Sequence, residues 1–295
     1  MRRHWCCCLL PAASAEDTAD DKKQNDTEFL IGQGAYGSVV KKRDEDDEKS
    51  VVAVKRVRFS AQALREVQLL RTAQGHPNIV RFRRAVVHPQ EVEVVMHFEG
   101  DETLVQLLER WRPPSETRLR MQRDVTSALA YLHERHIGHF DVKLDNVAVD
   151  EAHHVRLLDF GLAHPFRDDT PLDGMRGTRA YACPEMCDER PYYATDADAW
   201  SLAVVCFAIE FGHFPFREAS ARCLNYWLFR KVCLRKDPCE AIAAIYPDAA
   251  WTQAVHSQLC ETRRKLLSCT LRPDGERASP RDLMRDVFGA SETKP

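Results

Sequence analysis

Hydrophobic and polar positions follow two different rhythms along this chain. From Phe29 to about His97 the apolar residues come in short runs, Gly37–Val40, Val51–Val57, Ile79–Val87 and Val92–Met96, with polar or charged turns between them. Such runs predict strands. One stretch departs from the rule: in Ala61–Thr72, Leu64, Val67, Leu69 and Leu70 recur near helical spacing, so a single helix is expected among the strands. From Thr103 onward helical patterns dominate, over Arg118–His133, Ala197–Phe211 and Trp251–Cys269, interrupted by two short β segments, Val147–Val149 and Val155–Leu158. The pattern predicts an α+β chain with a small mostly-β lobe followed by a larger mostly-α lobe. A cleft between two lobes is a common place for a ligand.

The segments between these elements carry their own signals. Lys41–Lys49 is a block of charges and reads as a solvated hairpin turn between two strands. Residues 16–27 are polar and acidic and read as a linker. Residues 1–15, MRRHWCCCLLPAASA, admit three readings. They fit a disordered tail, an S-acylated segment through Cys6, Cys7 and Cys8, or an export signal whose apolar part is cut short by Pro11. A membrane is an expected partner only under the second of these.

Composition narrows the classes. A chain of 295 residues has ample material for a core. Its 42 basic and 45 acidic residues leave a net charge of −3, so no basic excess exists to neutralise a phosphate backbone, and nucleic acid is not an expected partner. The 11 cysteines are odd in number and include no CxxC pair, which favours free thiols in a reducing compartment over a disulfide framework or a zinc site.

Two groups of residues carry chemistry. Gly32, Gly34 and Gly37 with Val39 spell GxGxxGxV. A dinucleotide motif opens a helix, whereas here Val39 and Val40 continue as a strand, as in a hairpin whose backbone lies over phosphates. Lys55 follows on the apolar strand Val52–Lys55, and Glu66 on the next helix is its natural ion-pair partner. The second group is HFDVKLDN, which sets Asp141, Lys143 and Asn146 at fixed offsets, followed by Asp159-Phe160-Gly161. An acid for a hydroxyl proton, a lysine for the moving phosphoryl group and two magnesium ligands are what phosphoryl transfer needs.

With these motifs the chain resembles the eukaryotic-type protein kinases, over roughly Phe29 to Phe288. GTRAYACPE, residues 177–185, is similar to the family's GTxxYxAPE segment with Cys183 for alanine, and Asp198–Ala203 to DxWSxG with Ala203 for glycine. Gly212–Phe216 is similar to GxxPF, and Arg277 to the late arginine that pairs with the glutamate of APE, here Glu185.

The resemblance implies a bilobal fold. Residues 28–288 would form the kinase domain, with an N-lobe at about 28–97, a C-lobe at about 101–288, and tails at 1–27 and 289–295. ATP and Mg2+ are the implied cofactors, and proteins with Ser/Thr acceptors the implied substrates. Asp141 and Lys143 would be catalytic. Ile31, Gly32, Gly34, Gly37, Val39, Ala53, Lys55, Glu66, Met96, Phe98 and Ala148 would bind ATP, with His97–Glu99 as the hinge. Asn146 and Asp159 would hold magnesium. Thr178, Glu185, Asp198 and Arg277 would have structural or substrate-docking roles. Leu70, Phe82, His139 and Phe160 would stack between the lobes. Lys143 two residues after Asp141, together with Thr178, matches serine/threonine rather than tyrosine kinases.

The expected setting is intracellular, cytoplasmic or nuclear, in the host cell for a viral chain, and the motifs leave the oligomeric state open. Little flanks the domain, so no regulatory module is expected. Two rival readings stay open: a pseudokinase scaffold, whose usual mark is loss of a catalytic residue, and a small-molecule phosphotransferase, which would lack the GTRAYACPE segment. Phe140 replaces the family's arginine before the catalytic aspartate, Ala148 replaces a leucine, and Gly174 stands where relatives often carry a phosphorylated threonine. An enzyme active without activation-segment phosphorylation is therefore expected. The competing expectation is a phosphorylated Thr170 read by Arg167, Arg176 or Arg179.

Overall fold

The computed structural model describes residues 28–34, 37–47, 49–245, 261–273, 275 and 277–289. The readings made for 1–27, including Cys6–Cys8, for the loop tip Ala35-Tyr36, for 251–260 and for 290–295 lie outside these residues. The described chain forms two compact units: 28–74 with 80–99, and 75–79 with 100–289. None of its helices is long and apolar enough to cross a membrane.

The first unit is a five-stranded antiparallel sheet with one helix. Strands β1 (Phe29–Gly34), β2 (Gly37–Arg43), β3 (Val51–Arg58), β4 (Phe82–Val87) and β5 (Glu91–His97) pair in the order β1-β2-β3-β5-β4. Alternation splits β3 between two faces. Val52 and Val54 pack with Val40 and Val95 on one side, and Ala53, Lys55 and Val57 point to the other. Helix α1 (Ala61–Thr72) starts where expected because the Ser60 side chain accepts the Ala63 N–H at 3.1 Å, capping an otherwise unpaired donor.

Two expectations need correcting here. The charge block after β2 is not merely a solvated turn. Asp44 is only 1% exposed and takes Arg83 at 2.6 Å and Arg84 at 2.8 Å, both from β4. Burial pushes its carboxyl up, but the Arg84 bond and its neighbours outweigh burial and hold it below the ordinary range. The run Ile79–Val87 is also not one strand. β4 begins only at Phe82, while Ile79 makes a parallel bridge to Leu157 in the second unit.

The second unit is mostly helical. Helices α2 (Leu104–Arg110), α3 (Ser115–His133), the short α4 (Pro184–Cys187), α5 (Ala194–Phe211), α6 (Leu224–Cys233), α7 (Pro238–Ile245), α8 (Glu261–Thr270) and α9 (Pro280–Asp286) surround short strands. These are β6 (Glu102–Thr103), β7 (Ile137–Gly138), β8 (Val147–Val149), β9 (Val155–Leu157) and β10 (His164–Pro165). Helix α5 is buried almost all round, which its near-continuous apolar sequence predicts. It stops at Gly212, whose φ of 74° is the left-handed cap that glycine takes readily. One buried ionic group of this unit left no motif: Glu210 of α5 accepts from Arg118 of α3 at 2.8 Å and lies 3.2 Å from Arg263 of α8.

Residues 75–79 are tied to this unit by His76. Its Nδ1 accepts the Asn78 N–H at 3.2 Å and its Nε2 meets Ser127 Oγ at 3.0 Å. Burial, helped by Arg135, pushes the imidazole down to about 4. The unfolded chain then binds the proton first as pH falls, so stability is full above the ordinary value near 6.5 and declines between there and about 4. Discounted for partial exposure, the decline is on the order of 1 kcal/mol, or roughly 2–4 °C in melting temperature. A His76→Gln variant is expected to lose less melting temperature than the parent between neutral pH and pH about 5. Equal losses would contradict this assignment.

Candidate active site

In the sheet unit, strand pairing places the expected nucleotide residues together. Val39 lies opposite Lys55, Lys55 opposite Val94, and Ala53 opposite both Lys41 and Met96. Directly paired residues share a face, so Val39, Ala53, Lys55 and Met96 lie on one side of the sheet. Gly32 pairs with Val39 from β1, past an irregularity that contains Ile31. Lys55 Nζ meets Glu66 Oε1 at 2.6 Å, with both side chains at least nine-tenths buried. A short, charge-assisted bond of this kind fixes the ammonium.

The glycines have different reasons. A Cβ on Gly37 would lie 1.9 Å from the Arg56 carbonyl oxygen, so strand packing itself demands glycine. A Cβ on Gly32 would meet only Val39, at an ordinary 3.8 Å. Gly34 closes β1 opposite Gly37. At the end of β5, Phe98 donates its N–H to Val51 O at 3.3 Å and carries Lys41 Nζ over its ring at 4.1 Å. Buried Glu99 accepts from the backbone and guanidinium of Arg81 at 3.0 Å each.

In the helical unit, the residues expected to be catalytic and their neighbours converge on Asp141. Thr178 Oγ1 donates to Asp141 Oδ1 at 2.9 Å and accepts from Lys143 Nζ at 3.1 Å. Lys143 Nζ also lies 2.7 Å from Asp141 Oδ2, to which Asn146 Nδ2 donates at 2.9 Å. The carboxylate is thus held by a hydroxyl, an ammonium and an amide.

The loop is aimed by Asp198, which is fully buried. Its two oxygens accept the His139 and Phe140 N–H groups at 2.8 Å each, and His133 Nε2 sits at 2.9 Å. Burial pushes this carboxyl up, but the bonds from His133 and its neighbours outweigh burial, leaving it below its ordinary range. Phe140 bends the chain with φ 61°, a conformation that costs a non-glycine residue on the order of 1 kcal/mol and persists only where its surroundings hold it. His139 presents Nδ1 to the Asp141 N–H at 3.3 Å and Nε2 to the Leu158 carbonyl at 2.8 Å. Its ring meets Phe160 edge-on at 5.4 Å.

Asn146 and Asp159 are linked through backbone, Leu158 N–H donating to Asn146 O at 2.8 Å. Because Asn146 uses Nδ2 on Asp141, its Oδ1 is the atom it can offer a cation. Asp159 sits at φ 52° and accepts the Gly161 N–H on Oδ1 at 2.9 Å. One carboxylate and one amide oxygen are a hard donor set that suits magnesium when phosphate oxygens complete the shell. Ala148, on β8, is buried at 5% exposure.

The segment from Asp159 to Glu185 is anchored at several points. Leu172 and Tyr192 exchange two backbone bonds, at 2.7 and 3.0 Å, and the Tyr192 hydroxyl donates to Gly174 O at 3.0 Å. The Arg176 guanidinium lies 5.5 Å over the Phe140 ring. A Cβ on Gly177 would lie 2.1 Å from Phe140 O, and its φ of 74° also favours glycine. Glu185 accepts Arg277 Nη2 at 2.9 and 3.0 Å; its burial is outweighed by Arg277, which holds the carboxyl below its usual range. Burial pushes the Cys183 thiol up to about 12, which makes it an inert packing group.

Two contributions lay outside the sequence reading. His133 supports Asp198 from α3, and Asn146, expected as a magnesium ligand, also donates to Asp141. A histidine at the end of an amphipathic helix gives no signal by itself, whereas Asn146 was visible and only its second bond was not.

Comparison with known proteins follows from this geometry. The model of the protein kinase domain matches residues 26–288. Similar curated proteins include NUAK family SNF1-like kinase 1 of Homo sapiens, 28% identical over 204 residues, covering 66% of this chain and 31% of that protein. CBL-interacting serine/threonine-protein kinase 7 of Arabidopsis thaliana is 30% identical over 213 residues, covering 68% of this chain and 49% of that protein. NUAK family SNF1-like kinase 2 of Rattus norvegicus is 27% identical over 230 residues, covering 73% and 36%. The chain therefore spans between about a third and a half of these relatives' lengths.

Proposed function

This chain belongs to the protein kinase family, and we propose that it is a serine/threonine kinase that transfers the γ-phosphoryl group of ATP to protein hydroxyls. The catalytic domain in this reading is 28–288. The observation that carries it is the bonded set Asp141, Lys143, Asn146 and Thr178. An isolated aspartate on a loop needs no such support; one that must receive a hydroxyl at a fixed angle does.

Each residue has a separate task. Lys55, held by Glu66, grips the α- and β-phosphates. Gly32 supports a phosphate backbone contact, since nothing in the protein's own packing there requires glycine. Val39, Ala53 and Ala148 offer apolar surface to adenine, with Ile31, Met96 and Phe98 beside it. Magnesium, bound through Asn146 and Asp159, would neutralise charge on the phosphate oxygens. Asp141 orients the acceptor hydroxyl and takes its proton, and Lys143 stabilises the charge that develops on the transferred group. Thr178 bridges Asp141 and Lys143, which supports a serine or threonine acceptor. An ATP-dependent reaction is compatible with the cytoplasmic or nuclear setting proposed for the protein.

Acceptor peptides differing only in Ser, Thr or Tyr test this reading. Incorporation into Ser and Thr peptides, with little into Tyr, is expected. Saturating Mg-ATP is expected to raise the melting temperature, because a ligand at about a hundredfold excess over Kd adds about 2.7 kcal/mol to the native state. Equal labelling of the Tyr peptide would overturn the acceptor assignment.

Activity does not need a phosphate on the activation segment. The family's arginine is Phe140, and the Arg176 guanidinium, a candidate phosphate reader, lies over that ring instead. Arg179 is 3.6 Å from Glu218. Phosphatase treatment and Thr170→Ala are each expected to leave activity within about twofold, since two of the three candidate readers, Arg176 and Arg179, face other groups. A loss of about tenfold in either would show that such a pair is required.

A further inference from the structure

Helix α6 has two apolar faces, and the fold uses one of them. Tyr226 and Phe229 are buried, packing with Trp200 and Phe216. Leu224, Trp227 and Leu234, spaced by three and then seven residues, fall on the opposite stripe. They are 67%, 44% and 66% exposed. Scattered exposed leucines need no explanation, but three large apolar side chains in line along a helix and its C-cap do.

The charge around this stripe is one-sided. Residues 219–236, bounded by Glu218 and Asp237, hold Arg222, Arg230, Lys231, Arg235 and Lys236 with no acidic residue between them, in a chain whose net charge is −3. All five cations are exposed. Among the described residues none of them sits in an ion pair, and Lys231 Nζ lies 5.8 Å from the Trp227 ring centre. Unbalanced cations interleaved with protruding Leu and Trp side chains are what a helix needs to lie in the headgroup layer of an anionic bilayer. The cations meet lipid phosphates, the tryptophan ring suits the polar–apolar boundary, and the leucines enter the acyl edge.

We propose that the outer face of α6 docks this protein peripherally on anionic lipid membranes. A bilayer fits the face better than a folded partner does. Leu224 and Leu234 are each about two-thirds exposed, and a soft, laterally fluid phase can take up such side chains without a matched groove. The proposal rests on α6 and the residues that flank it and is independent of acylation at Cys6–Cys8.

The test uses the full chain, produced without acyl groups, in co-sedimentation with vesicles. One set holds phosphatidylcholine only and the other roughly 30% phosphatidylserine, near the charge of a cytoplasmic leaflet. Binding to the anionic set alone is expected, falling about tenfold or more at about 0.5 M salt. Leu224→Ser with Trp227→Ser removes the apolar stripe, and Arg230→Gln with Lys231→Gln removes charge. Each pair is expected to weaken anionic-vesicle binding about tenfold or more, with unchanged melting and unchanged activity on a soluble peptide. Equal binding to both vesicle sets, or no binding, overturns the proposal. So does anionic binding that survives either pair of substitutions, or a protein partner that needs these residues while vesicles do not bind.

Discussion

Asp141→Asn is expected to lower phosphoryl transfer by about 10²–10⁴-fold, the usual contribution of a positioned general base. Melting temperature should stay within a few degrees. Both oxygens of Asp141 accept: Oδ1 from Thr178 at 2.9 Å, and Oδ2 from Asn146 at 2.9 Å with Lys143 at 2.7 Å. An amide can supply one oxygen but must turn its NH2 toward a donor on the other side. The variant therefore loses the proton acceptor and one arm of the cluster, while the loop stays anchored by Asp198. Initial rates at saturating Mg-ATP, with melting curves of both proteins, measure the effect. A variant with near-parental turnover would remove Asp141 from the base role.

The largest stability loss is expected from Asp198→Ala. Three donors, the His139 and Phe140 N–H groups and His133 Nε2, lie within 2.9 Å of its oxygens in a fully buried site. Removing the carboxylate leaves buried donors without an acceptor and releases the turn that holds Phe140 in its left-handed conformation. Breaking a buried charged set of this kind costs about 3–5 kcal/mol, which corresponds to roughly 6–20 °C in a domain of this size. Asp198→Asn keeps one accepting oxygen and should fall between the two. Because folding lowers the Asp198 pKa, its contribution is present above the ordinary aspartate value and is lost as pH falls below it. The difference between parent and Asp198→Ala in melting temperature should accordingly shrink in acid. A constant difference down to pH about 3 would contradict that coupling.

What could be read from the chain alone has a physical pattern. Short apolar runs and the Ala61–Thr72 periodicity located four of the sheet's five strands and its helix, because strand and helix spacings are local properties. The motif residues around Asp141 and Lys55 were legible because phosphate chemistry limits which groups can serve. Asp44 was misread because charge blocks are usually solvated, and only the fold brings Arg83 and Arg84 to it. Ile79 was read into the wrong element because an apolar run does not announce which unit it will pair with. Glu210, Arg118 and Arg263 gave no sign, since three charges on three distant helices become a buried group only through tertiary packing.

The central claim is that this chain moves a phosphoryl group through the Asp141 cluster. It is tested most directly by incubating the purified protein with γ-labelled ATP, magnesium and a basic acceptor protein, beside Asp141→Asn prepared identically. The account predicts label on serine and threonine of the acceptor, dependent on magnesium and absent with the variant. Equal labelling by both proteins, or no labelling by the parent under conditions where Mg-ATP stabilises it, would contradict it.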